Sequence, residues 1–219
     1  GVSLKELEEA LKPHGLFYPP NPGEKSAFIG GTVATNASGS RSFKYGPTRR
    51  YVRRLRIVLP NGEPLDLPRG KVFAEGGLLS IPPSNGTACR IPVPTYRMPE
   101  VKNAAGYFAA PNMDLIDLFI GSEGTLGVFT EVELEIRKAP PCVLAGILFF
   151  DTEMEAFRFA REARRLNPRG LEFFDSRSLQ ILSSKHPNIL AAHAALYFEQ
   201  ECDEAGGPSG EASSSRSRE

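Results

Sequence analysis

An α+β fold in two successive units is predicted by three features of the sequence. Apolar residues alternate along 52–59 and 128–136, the period of half-buried strands. They recur at helical spacing along 4–11 and 153–166. Between these regions Pro140-Pro141 interrupts every regular pattern and marks a boundary. Residues 1–139 are therefore expected to form one unit and 141–202 a second. Residues 203–219, rich in Gly, Ser, Glu and Arg with no apolar anchor, are expected to be a disordered tail.

The first element is a helix over Leu4 to Leu11, with Leu4, Leu7 and Leu11 on one face. Ser3 and Glu6 have the spacing of a capping box. Pro13 stops this helix, and the prolines at 19, 20 and 22 keep the following chain extended or turned. The small-residue run Gly30 to Ser40 reads as a loop. Val52 to Leu59 is the first long strand, Asn61-Gly62 a hairpin turn, and Pro64 to Leu67 the returning strand. Gly70 to Pro99 has no period and reads as a long functional loop or a partly ordered insertion. Asp114 to Ile120 is a short helix, capped by Asn112 and ended by a left-handed Gly121. Val128 to Ile136 closes the unit as a strand. The second unit should run strand (Val143 to Phe150), helix (Glu153 to Leu166), helix (Ser176 to Ser184) and strand (Ala191 to Phe198). The longest apolar run, Cys142 to Phe150, suits a buried strand and is too short to span a membrane.

Composition excludes several classes. Among 219 residues, 26 Lys and Arg balance 26 Asp and Glu, which argues against a surface built for nucleic acid or anionic lipid. The basic run Arg49, Arg50, Arg53, Arg54 and Arg56 reads as the solvated face of a strand, or alternatively as a patch beside an anionic cofactor or substrate. Cys89, Cys142 and Cys202 lie far apart in sequence and show neither zinc-site nor disulfide spacing, so no metal site is expected and a reducing cytoplasm is the default compartment. Asn36-Ala37-Ser38 and Asn85-Gly86-Thr87 match the glycosylation sequon, read as coincidence. His14, His186 and His193 have no local partner that would make any of them a general base.

Two small-residue runs carry the chemistry. In the first, Gly30 and Gly31 allow close backbone approach to a flat or phosphorylated ligand, and Thr35, Asn36 and Ser38 offer hydrogen-bond donors. The second, Gly121-Ser122-Glu123-Gly124-Thr125-Leu126-Gly127, spaces three glycines like a dinucleotide fingerprint. It follows a helix and precedes a strand, the reverse of the Rossmann order, which excludes a nicotinamide cofactor there. The alternative to a cofactor role is a flexible linker for the first run and a plain helix end for the second.

The ordered set Pro19-Pro20-Asn21-Pro22, Ile29-Gly30-Gly31, Ala34-Thr35-Asn36-Ala37-Ser38-Gly39, Lys44-Tyr45-Gly46, Lys102-Asn103-Ala104-Ala105-Gly106-Tyr107 and Gly121 to Gly127 resembles the FAD-linked oxidase family typified by vanillyl-alcohol oxidase. The nearest branches are D-lactate dehydrogenase and the glycolate oxidase flavoprotein subunit. The resemblance spans roughly residues 1–200. It implies the later part of a PCMH-type FAD-binding domain, then the start of an α+β substrate (cap) domain. It implies FAD contacts from Pro22 to Phe28, including Ser26, from Thr35, Asn36, Ala37 and Ser38, and from Glu123, Gly124, Thr125, Leu126, Gly127 and Val128. Lys102 and Tyr107 become candidates for the substrate pocket. The implied reaction takes hydride from a 2-hydroxy acid such as D-lactate or glycolate to flavin N5, with an unidentified electron acceptor and an iron–sulfur partner subunit in the parent system. The implied location is cytoplasmic, or peripheral to a membrane. An alkylglycerone-phosphate-synthase-like enzyme on the same scaffold is the rival, and a non-catalytic fragment is another. The family's upstream pyrophosphate loop and downstream histidine-rich segment have no counterpart here. The chain therefore reads as truncated at both ends, and alone it is expected to purify without yellow colour or turnover.

Overall fold

The computed structural model describes residues 1–81, 89–186, 188 and 192–203. The Asn85-Gly86-Thr87 sequon and the tail from residue 204 onward lie outside the described residues. The chain divides into two compact units: residues 1–39 with 46–138, and residues 40–45 with 139–219.

In the first unit, helix α1 (Leu4–Leu11) opens with the expected reciprocal cap: the Glu6 N–H donates to Ser3 Oγ, and the Ser3 N–H donates to the Glu6 carboxylate. That bond to the Ser3 N–H and hydroxyl holds the Glu6 carboxyl below its ordinary pKa. Strand β1 (Leu16–Phe17) follows, then α2 (Ile29–Ala34). Strand β2 (Val52–Val58) and β3 (Pro64–Pro68) form the hairpin expected around Asn61-Gly62, with Gly62 at φ 85°. The reading of 70–99 as patternless chain is corrected: β4 (Leu78–Ile81) pairs with β5 (Cys89–Pro92). Their short, glycine-flanked segments carry too few alternating residues for the period to register. Helix α4 (Leu115–Phe119) is reached after α3 (Ser42–Tyr45), which belongs to the other unit. Asp114 occupies the cap position of α4, not Asn112, and its side chain serves another purpose, accepting the Gly70 N–H at 2.6 Å. Strand β6 (Val128–Leu134) joins β2 and β3 in the order β3-β2-β6, and β7 (Arg137–Lys138) pairs with β1. Register shifts between β2 and β6 break strict alternation, so Val52, Leu55 and Ile57 all reach the core.

The second unit is a three-stranded antiparallel sheet, β8 (Cys142–Phe150), β10 (Ala194–Cys202) and β9 (Gly170–Phe174), in the order β8-β10-β9. Helices α5 (Glu153–Ala163) and α6 (Ser176–Lys185) carry side-chain caps from Thr152 and Asp175. Two sequence readings are corrected here. A strand, β9, separates the two helices; its short Leu171/Phe173 alternation follows Pro168 without a strong signal. Strand β8 has the expected bounds but is not buried: Leu144 is 61% and Ile147 56% exposed. Cys142 and Cys202, far apart in sequence, are direct register partners across β8 and β10. Ala156, Ala194 and Leu196 form the buried centre, flanked by Phe150, Phe159 and Leu171.

Residues 40–45 complete this unit through charge. The Lys44 ammonium donates to the Glu201 carboxylate at 2.6 Å, and the Tyr45 hydroxyl donates to its other oxygen. Arg41 lies 3.6 Å from Glu199, and Arg169 lies 3.8 Å from both Glu199 and Glu201. Burial, and then the nearby Arg41 charge, lower the Arg169 pKa, while the two carboxylates oppose the shift.

Candidate functional site

The site is built on a correction. Ile29–Ala34 is a helix, α2, where the glycines predict a loop. Glycine is a poor helix former, so local propensity argues against it. Hydrogen bonds at the helix C-terminus, two local and two long-range, supply what propensity lacks. The Asn36 N–H reaches the Val33 carbonyl at 3.1 Å and the Ala37 N–H the Thr32 carbonyl at 2.8 Å, a Schellman ending. Asn36 adopts the left-handed conformation this requires, at φ 45°. The second small-residue run completes the end: the Gly121 N–H donates to the Val33 carbonyl at 3.0 Å and the Glu123 N–H to the Ala34 carbonyl at 2.8 Å. Two runs about ninety residues apart in sequence thus become one continuous backbone surface.

The run itself is a tight turn. Gly121 (φ 86°), Glu123 (φ 53°) and Gly124 (φ 77°) are left-handed, and the Thr125 hydroxyl donates to the Ser122 carbonyl at 2.6 Å. Gly127 serves packing: a Cβ there would lie 2.7 Å from the Val58 carbonyl oxygen of β2. Gly30, Gly31 and Gly124 face open space, since a Cβ at any of them would meet nothing within 4 Å. Gly39 is different again, because a Cβ there would sit 1.7 Å from the Asn21 carbonyl oxygen, beside Pro22.

The sequence-predicted residues separate by role. Asn36 is buried, and its Oδ1 accepts the Arg49 N–H at 2.9 Å. The Thr35 hydroxyl turns back to the Gly31 carbonyl at 3.0 Å, and the Ser26 hydroxyl to the Glu24 carboxylate at 2.6 Å. The Ala37 carbonyl accepts both the N–H and the hydroxyl of Thr48. The Ser38 hydroxyl, and that of Ser122 in the second run, are buried with no hydrogen-bond partner among the described residues. Val128 is exposed at the start of β6. Tyr107 is brought to the second run, its hydroxyl 2.7 Å from Thr125 Oγ1; because Thr125 donates to Ser122, Tyr107 is the donor. Lys102 instead lines a cleft of about 290 Å³ with Asn36, Arg49, Arg50, Asn103 and Phe108.

Beneath the cleft lies a feature the sequence reading missed. Asp117 is 8% exposed and meets two guanidinium groups, Arg49 at 3.1 Å and Arg69 at 3.0 Å. Arg49 also donates to the Asp117 and Ile120 carbonyls at the end of α4 and stacks 4.5 Å from the centre of the Phe108 ring. Burial lowers the Arg49 pKa, Asp117 opposes the shift, and Arg69 adds to it. The available signal was a lone carboxylate inside an otherwise apolar helical turn, Leu115–Phe119, where a buried charge demands a partner. Arg53, Arg54 and Arg56 follow the solvated reading: Arg54 pairs with Asp66, Arg56 with Asp66 and Glu131, and Arg53 with Glu135, while Arg50 lines the cleft.

Among the described residues no group of three or more His, Cys, Asp or Glu is placed to hold a metal ion, and no helix is long and apolar enough to cross a membrane.

Comparison with known proteins gives concordant findings. Residues 1–68 match the FAD binding domain family. The chain is 36% identical over 177 residues to a D-lactate dehydrogenase of Anaerostipes hadrus, covering 80% of this chain and 30% of that protein. It is 31% identical over 206 residues to the glycolate oxidase subunit GlcD of Bacillus subtilis, covering 92% of this chain and 36% of that one. Among solved structures, an alkyldihydroxyacetonephosphate synthase superposes with a TM-score of 0.62 at 20% identity, over 94% of this chain and 35% of its own. That likeness speaks to fold alone. The chain spans about a third of the length of each of these relatives.

Proposed function

We propose that this chain, a member of the FAD-linked oxidase family, supplies part of the flavin-holding surface of an oxidoreductase acting on a small 2-hydroxy acid. The observation that carries the reading is the union of α2 with the 121–127 turn through the Gly121 and Glu123 N–H groups. The residues there fit FAD. Gly30, Gly31 and Gly124 leave room for a ligand, and the Ser38 and Ser122 hydroxyls have no hydrogen-bond partner among the described residues. Bound FAD would supply the hydride acceptor.

The chain's own residues hold and orient. The Schellman ending and the two long-range bonds from Gly121 and Glu123 fix the turn without side-chain freedom, so main-chain groups stay in place as charge develops. Tyr107, tied to Thr125, positions the 102–107 loop against that turn. Arg50 and Lys102 put positive charge in the cleft, which suits a carboxylate substrate. D-lactate and glycolate, the substrates implied by the names of the relatives, are the acids this reading favours. The Bacillus relative is named as a subunit, which supports an electron-accepting partner, here proposed to be an iron–sulfur protein.

The test is a chimera in which residues 1–202 replace the matching segment of the Anaerostipes D-lactate dehydrogenase. A yellow protein that reduces dye with D-lactate or glycolate supports the reading. A folded chimera, verified by circular dichroism, that stays colourless would overturn it. The native chain alone is expected to be colourless and without dye reduction.

A further inference from the structure

We propose that Cys142 and Cys202 form a reversible cross-strand disulfide, a modification site at the end of the second unit's sheet. They are paired directly across β8 and β10, the last pair of an unbroken nine-residue register that begins at Phe150 and Ala194. Directly opposed residues of an antiparallel pair have Cα atoms about 4.5–5.5 Å apart and side chains on one face. That separation lies within the roughly 4.4–6.8 Å that a disulfide spans. Both cysteines are free thiols in the structure.

Their surroundings assign the order of events. Cys142 begins the outer strand and is exposed, so it meets an oxidant first. Cys202 is buried on the central strand, with its sulfur 3.8 Å from the Gln200 carbonyl, and is shielded from solution reagents. The oxidant is a low-molecular-weight disulfide. The Cys142 thiolate attacks one of its sulfurs, forming a mixed disulfide and releasing one thiolate. The Cys202 thiolate then attacks the Cys142 sulfur and displaces the second thiolate. The protein loses two protons and two electrons, and the small disulfide is reduced to two thiols. Closure would pin the stretch of β10 that carries Glu199 and Glu201, the carboxylates holding residues 40–45.

The full chain is incubated with oxidised glutathione, quenched with an alkylating agent, and analysed by intact mass and non-reducing peptide mapping. The expected product has lost two hydrogens, about 2 Da, relative to the reduced chain once any group added to Cys89 is subtracted; its Cys142 and Cys202 peptides are joined, and the exposed Cys89 is alkylated or carries a single glutathione. Its melting midpoint should rise by about 5 °C or more, and dithiothreitol should reverse the change. Cys202→Ala should stop at a glutathione adduct on Cys142, Cys142→Ser should leave Cys202 unreacted, and Cys89→Ser should behave as wild type. A stable adduct on wild-type Cys142 beside a free Cys202, or linkage through Cys89 or between two chains, would overturn the proposal. Peptide mapping of the wild-type protein decides the matter even if a variant folds poorly.

Discussion

Asp117 holds two guanidinium groups in the interior of the first unit, and removing its charge would strand both. Asp117→Asn should destabilise the chain by about 3–5 kcal/mol in urea unfolding, because unpaired buried charge costs more than the pair contributes. Arg49→Lys should not rescue the geometry, since one ammonium cannot reach Asp117, the Ile120 carbonyl and the Phe108 face together. Tyr18 gives a pH signature. Burial raises its hydroxyl to a pKa of about 12, Thr48 offsets this in part, and Tyr51 adds to it. A raised folded-state pKa means the contribution is intact below the unfolded value near 10 and is lost as pH rises through about 12. Alkaline unfolding should therefore steepen between these values, and Tyr18→Phe should flatten it. The burial of Tyr18 was not legible in the sequence, and of the ion pair only the need of a lone helical carboxylate for some partner was. A run of five arginines does not reveal which one turns inward; that depends on a carboxylate 68 residues away.

Helix α2 is where local and long-range forces disagree. The capping box of α1 and the hairpin at Asn61-Gly62 were readable because neighbouring residues decide them. The fate of Ile29–Ala34 was not, because carbonyls at its end are taken by amides from residues 121 and 123. The small-residue motifs that identify the candidate site were legible, but their conformation was not. Two glycines should respond oppositely to the same change. Gly30→Ala meets open space in a helix and should raise stability by about 0.5–1 kcal/mol. In the chimera it should nonetheless weaken FAD binding, measured by flavin fluorescence, if the flavin lies against that face. Gly39→Ala collides with the Asn21 carbonyl and should lower the melting midpoint sharply, whatever ligand is present.

For the molecule as a whole, the sequence revealed α+β character, while β9 and the exposure of β8 emerged only from the structure. An apolar run looks buried when read alone; whether anything covers it is a matter of partners. The segment Cys142–Phe150 contains no charged residue and no proline, the usual protections of an outer strand. Leu144→Lys combined with Ile147→Lys should therefore reduce concentration-dependent association, read by light scattering, without altering the helical signal in circular dichroism.

Residues 40–45 also set a clock. During synthesis Lys44 and Tyr45 emerge 157 and 156 residues before the carboxylate of Glu201 that receives them. At an elongation rate of roughly 5–20 residues per second, that interval is about 8–30 s, far longer than helix or hairpin formation needs. The intervening strands and helices can form while the ammonium and hydroxyl are still hydrated. The last stretch of β10 then closes a contact of very high sequence separation, the kind that slows folding most. Translation speed through residues 139–202 should accordingly govern how much chain reaches the native state before its exposed strand finds another copy.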